Sequence, residues 1–198
     1  MKTKLTTSTE IINKLREIVN LLNYGLQEVD NQWLLQETDP KAKLKKVFIS
    51  EVTDTNCAFK LDGENPNHIC LYLNKSAEFV HQGCDGIIFT EFEGKPYIIF
   101  CEMKSEFPKE KDYKPQFINA LCFVDYLEVL LKRFYDYDFS NFKKQFILFY
   151  YSKENTPMQN FGSKHKSVAI DEKHKVRNFP NSKTEENYLS LSEILRHK

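Results

Sequence analysis

Apolar residues recur along this chain with two different periods. Near the start, Ile11, Leu15, Ile18, Leu22 and Leu26 return every three or four positions, the spacing of one helix face. Thr7 and Glu10 form a Thr-x-x-Glu capping box ahead of them, and Asp30-Asn31 offers a left-handed stop. A helix is therefore predicted from Thr7 to about Val29, and a polar stretch ending in Asp39-Pro40 follows soon after Trp33. Residues 46–52 (K-V-F-I-S-E-V) read as a strand, and residues 57–61 and 68–73 as shorter ones, separated by Asp62-Gly63 and Asn65-Pro66-Asn67. The helical period returns in Phe117, Leu121, Val124, Leu127, Leu131 and Phe134, a long helix expected to begin near Asp112 or Pro115. Residues 145–151 (Q-F-I-L-F-Y-Y) are apolar on both alternations, as in a central strand covered on both faces. A buried strand after a crossover helix implies a mixed sheet with at least one parallel pair. Residues 188–190 suggest a short edge strand, and Ser190-x-x-Glu193 caps a small final helix.

The most informative stretch is C-D-G-I-I-F-T-E-F-E-G-K-P-Y-I-I-F-C-E-M-K, residues 84–104. Two apolar runs flank Glu93-Gly94, which is a β-hairpin signal. With two or four residues unpaired in the loop, Thr90 faces Tyr97, Phe89 faces Ile98 and Asp85 faces Glu102. Facing residues in an antiparallel pair share one side of the sheet, and Lys104, two beyond Glu102, emerges on that side too. A three- or five-residue loop shifts the pairing by one and sends Asp85 to the other face. In the first register two carboxylates and a lysine converge at one hairpin end. Opposed like charges repel, so something positive belongs between them. Lys104 supplies part of it, and Mg²⁺, which takes hard oxygen ligands from one or two carboxylates, supplies more. The competing reading is a surface salt bridge.

Composition narrows the field. At 198 residues, 41% apolar and 14% aromatic, the chain reads as one folded domain. Lysine plus arginine equals aspartate plus glutamate at 28 each, so binding to polyanions has to run through a local patch. The first residues lack an apolar core of the secretory kind, and no apolar run of about 18 residues occurs, so neither export nor a membrane span is expected. The five cysteines are scattered with no C-x-x-C, which favours reduced thiols in a cytoplasm over a zinc ribbon or a disulfide framework. Basic residues outnumber acidic ones between Lys153 and Lys183, either as a solvated loop region or as an arm that contacts phosphate. Gln116, in the first turn of the long helix, can face a cleft while the helix body packs.

Asp85, the hairpin, Glu102-Met103-Lys104, a helix opening with Gln116-Phe117 and a further strand together resemble the PD-(D/E)xK nuclease superfamily. The likeness is to small standalone or defence-effector members, and it spans residues 84–151, with 152–198 a basic section outside it. It implies a restriction-endonuclease-like αβββαβ core, an α/β (α+β mixed) fold with a central mixed sheet flanked by helices. It also implies Mg²⁺, with Mn²⁺ able to substitute, held by Asp85, Glu102 and the Met103 carbonyl. Lys104 would activate water and stabilise charge on the phosphate, and Gln116 would assist in the cleft. Cys84 stands where proline is more usual. The family's extra glutamate has three candidates, Glu17, Glu28 and Glu78. The implied function is endonucleolytic hydrolysis of phosphodiesters, DNA ahead of RNA, in antiviral or mobile-element defence, with a homo-oligomer or activating protein as a possible partner. The alternative is a non-catalytic nucleic-acid- or protein-binding subunit on the same fold, which an intact Asp85, Glu102 and Lys104 set weighs against.

Overall fold

The computed structural model describes residues 6–61, 79–152, 176–181 and 185–196. Helix α1 (Ser8–Ile18) opens with the expected capping box: Thr7 Oγ1 accepts from the Glu10 N–H, and Glu10 accepts from the Thr7 N–H. The helix ends at Ile18, well short of Val29. After one turn of α2 (Leu21–Tyr24) the chain turns at Gly25 and enters strand β1 (Gln27–Val29). The apolar spacing of Leu22 and Leu26 is therefore not a helix face; Leu22 is 95% exposed. Asp30-Asn31 is no helix stop. Both residues take positive φ and form a two-residue turn that pairs β1 with β2 (Gln32–Gln36), Val29 opposite Gln32. A strand thus occupies what reads as polar linker.

Next come β3 (Lys46–Ser50), β4 (Cys57–Phe59), β5 (Gly86–Phe92) and β6 (Lys95–Lys104). A short 3-10 turn (Glu110–Asp112) leads into α3 (Lys114–Tyr135), with Pro115 in its first turn and Asp136 as a left-handed cap. The α3 stripe is as expected through Leu131, but Phe134, near the end of the helix, is 74% exposed. Then follow β7 (Lys143–Tyr151), β8 (Val176–Asn181), β9 (Glu186–Ser190) and α4 (Leu191–Arg196). Ser190 and Glu193 make the reciprocal cap predicted for α4. The strand expected at 68–73 and most of the basic section lie outside the described residues.

The strands form two mixed sheets. One has the order β4-β5-β6-β7-β8, antiparallel from β4 to β6 and parallel from β6 to β8. The other has the order β1-β2-β3-β9, with β9 parallel to β3 at one edge. Alternation along the five-stranded sheet assigns its two faces. Ile87, Phe89, Ile98, Phe100, Phe146 and Leu148 face α1 and α3, where Leu15, Phe117 and Val124 complete one apolar layer. Ile88, Ile99, Ile147 and Phe149 face the other way and meet Leu35, Val47, Ile49 and α4. The Phe100 and Phe146 rings stack at 4.5 Å, and burying a ring of this size contributes roughly 2–3 kcal/mol. The result is helices, sheet and sheet in three layers, with β6 and β7 central and apolar on both sides.

Candidate active site

The β5–β6 ladder has the register expected for a two-residue loop: Phe92 pairs with Lys95, Thr90 with Tyr97 and Phe89 with Ile98, down to Gly86 with Cys101. Asp85 and Glu102 follow that last pair by one step. On β6, Glu102 and Lys104 fall on the same alternation as Ile98 and Phe100, so they leave the sheet on the helix side. Here the ladder gives way to side chains. Asp85 Oδ2 accepts the Met103 N–H at 2.6 Å, which occupies a backbone donor where strand pairing has ended. The N–H and C=O of one strand residue point to the same neighbour, so the Met103 carbonyl is also directed to the Asp85 side.

Glu102 is 2% exposed and Lys104 Nζ lies 2.6 Å from its Oε1, with the lysine side chain 24% exposed. Glu102 Oε2 is buried and, among the described residues, has no hydrogen-bond partner. Burial pushes the Glu102 carboxyl well above the usual carboxylate range, and the charge of Asp85 adds to this, while Lys104 pulls the other way. Burial works against the Lys104 charge, but Glu102 and Asp85 outweigh it and raise the ammonium above its ordinary value. One lysine therefore faces more negative charge than it neutralises. A second cation fits this arrangement, because the donor set is hard oxygen and one acceptor atom lacks a donor. Among the described residues no group of three or more His, Cys, Asp or Glu is arranged to hold a metal ion, so the protein would offer two carboxylates and a backbone carbonyl. Mg²⁺ accepts such a site, since it keeps several waters of its own.

Gln116 sits in the first turn of α3, half-buried, and its Oε1 is also buried without a hydrogen-bond partner among the described residues. The adjacent Phe117 packs edge-on against Phe146 at 5.5 Å, and the next β7 residue on that face, Leu148, is paired with Glu102. The helix start thus lies over the rows of the sheet that carry the carboxylate. Cys84 is fully buried, its thiol donates to the Gly86 carbonyl at 3.3 Å, and burial pushes its pKa well up, which leaves it a packing residue.

The two described candidates for an additional glutamate fall elsewhere. Glu17 pairs with Lys14, which itself lies over the Tyr135 ring at the far end of α3. Glu28 is opposite Trp33 on β1, and Glu78 lies outside the described residues. The acid that does approach is Glu37, directly after β2. It lines a cleft together with Asp85, and its charge helps to raise Lys104. The signal for it was Gln-Trp-Leu-Leu-Gln-Glu, legible only once 32–36 is read as a strand. Of the basic section, Arg177 is described and belongs to no arm: it lies within β8 paired with Ile147, on the face away from Glu102, and bonds Gln145 Oε1 at 3.3 Å.

No protein-family model, characterised protein or solved structure matches this chain. Among the described residues no helix is long and apolar enough to cross a membrane.

Proposed function

We propose that this chain is a Mg²⁺-dependent nuclease of the PD-(D/E)xK kind that hydrolyses phosphodiester bonds, DNA ahead of RNA. One observation carries the reading: a buried glutamate oxygen without a hydrogen-bond partner among the described residues, beside a second carboxylate and a lysine, at the open end of a hairpin. Element order supports it: with α2 and β1–β3 set aside as an insertion after α1, the chain runs α1, β4, β5, β6, α3, β7, the αβββαβ order of that superfamily, and β4 to β7 are neighbours in one sheet.

Asp85 and Glu102 would hold Mg²⁺, with the Met103 carbonyl as a further oxygen. When bound, the ion supplies neutralising charge for the phosphate oxygens and the departing alkoxide. Asp85 keeps its position because its other role, accepting the Met103 N–H, ties it to β6. Glu102 is fixed by the apolar layer around it, so it needs little reorganisation during the reaction. Lys104 holds its proton, orients the attacking water and faces the phosphate with a fixed positive charge. Gln116 has an acceptor oxygen to spend on a water or on the substrate.

The test is incubation with plasmid DNA and with RNA, in Mg²⁺, in Mn²⁺ and in chelator. Cleavage is expected only with metal, and Glu102→Ala or Lys104→Ala lowers it by roughly 100- to 1,000-fold. In parallel, Mg²⁺ raises the Tm of the wild type and not that of Glu102→Ala. Cleavage in chelator, or cleavage indifferent to both substitutions, sinks the assignment.

A further inference from the structure

Arg177 sets a positive charge against an apolar layer with nothing negative beside it. On β8 it is opposite Ile147, and Phe179 is opposite Phe149; both partners lie in the layer between the two sheets, on the face away from Glu102. The arginine is half-buried, and its guanidinium carbon stands 5.7 Å from the centre of the Phe179 ring. Nη1 donates to Gln145 Oε1 at 3.3 Å. Nη2 is buried and, among the described residues, has no acceptor. Burial pulls the pKa of the group down, and no described carboxylate opposes that shift. Arginine nevertheless stays protonated, and a buried cation facing only a neutral amide is unfavourable. Glu102, on the other face, has Lys104 for its charge; Arg177 has no counterpart of that kind among the described residues.

The geometry says what kind of group completes it. With Nη1 committed to Gln145, the guanidinium keeps Nη2 and Nε, adjacent donors that form the fork which takes two oxygens of one oxyanion. The Phe179 ring holds the cation in place. Lys143 lies on the same face of β7, two residues before Gln145, exposed and with its ammonium 5.8 Å from the Tyr97 ring centre. It adds a second positive charge, which favours a doubly charged ligand over a carboxylate. Strand β8 is the last in its sheet, and Arg177 keeps partial exposure, so the fork is approached from a sheet edge. We infer that Arg177, oriented by Gln145 and assisted by Lys143, binds a phosphate group on the face of the sheet opposite the candidate active site. The sheet separates the two, so a phosphate held here is not the one hydrolysed, and the inference stands apart from the nuclease reading. Its source is either free phosphate or the backbone of a bound nucleic acid.

The experiment titrates inorganic phosphate into the metal-free full chain by calorimetry, with ionic strength held constant by chloride, and follows Tm in the same buffers. Saturable binding by the wild type is expected. Arg177→Lys keeps the charge but loses the fork, and binds about tenfold more weakly, the worth of one charge-assisted hydrogen bond. Arg177→Met abolishes binding. In chloride its Tm equals or exceeds that of the wild type, because the unmatched cation is gone, and in phosphate it falls below. That reversal separates a ligand site from an arginine that merely supports the fold, whose loss lowers Tm in both buffers. Glu102→Ala leaves phosphate binding unchanged. Short DNA and RNA strands then identify the source. Weaker binding of either strand by Arg177→Lys assigns the nucleic-acid backbone; unchanged binding of both, with phosphate still lost, assigns free phosphate, and each result supports the site. Four outcomes overturn it and leave the nuclease reading untouched: no saturable binding by the wild type, equal phosphate affinity in both Arg177 variants, loss of binding in Glu102→Ala, or a Met variant less stable in both buffers.

Discussion

The β5–β6 hairpin turns at Glu93-Gly94 and the β1–β2 hairpin at Asp30-Asn31, and in both the two central residues sit at positive φ. That is the turn whose twist suits two strands joined by two residues. Beyond the turn they diverge. Strands β5 and β6 are seven and ten residues long and buried on both faces for most of their length, while β1 and β2 are three and five, with Gln27 and Gln36 left in solvent. Length and cover decide what the open end carries. The long hairpin drives a glutamate into the interior, where it interacts strongly with any charge nearby. The short one presents neutral amides to solvent, where they interact weakly with the charges of the long one.

The sharpest way to break this contrast is to remove the lysine. Lys104→Met leaves the buried Glu102 without its cation and should cost about 3 kcal/mol in urea unfolding of the metal-free protein, with most of that regained in Glu102→Gln/Lys104→Met. Gln36→Met on the short hairpin should change stability by under about 0.5 kcal/mol. Similar losses at the two positions would erase the distinction between the hairpins.

Gly86 is where the two meet. A Cβ placed there would lie 2.6 Å from Leu35 Cδ2 and 3.4 Å from Leu26 Cδ1, so glycine next to Asp85 lets the second sheet approach. Gly86→Ala should cost about 1–3 kcal/mol through overpacking, and Leu35→Ala in the same chain should add less than it does alone. Strict additivity in a double-mutant cycle would show that the hairpins do not press on each other here. A smaller loss than at Lys104 or Gly86 is expected at the short turn. Asn31 has φ 58°, a region that asparagine tolerates and alanine does not, so Asn31→Ala should lose about 1 kcal/mol while Asn31→Gly stays within a few tenths.

The long hairpin was legible because its signals agreed: β-rich apolar runs, a Glu-Gly turn and charges placed symmetrically about it. Two registers were open to it, and the two-residue Glu-Gly loop sets the one that brings Asp85 and Glu102 to the same end. The short hairpin was hidden by a conflict. Leu22 and Leu26 continue the α1 spacing, and Asp-Asn ends helices as readily as it turns strands, so local pattern favoured a longer helix. What decided otherwise is tertiary: Leu26, Trp33 and Leu35 pack beneath the five-stranded sheet, and no window of sequence displays that partner. The same omission hid Glu37, which lines a cleft with Asp85. Arg177 was misread for a related reason, since net charge along a segment does not reveal that one cation lies inside a strand.

Strand β9 pairs with β3 across 140 positions of sequence, and Lys46 meets Glu186 at that seam. During synthesis, residues 46–50 therefore wait for nearly the whole chain before their second neighbour exists. Until then β3 has a bare edge, open to pairing with another nascent chain. Contacts this far apart slow folding. Closure of that seam is thus the natural late step, and a chain halted before residue 186 should aggregate through β3 while its five-stranded half is already largely assembled.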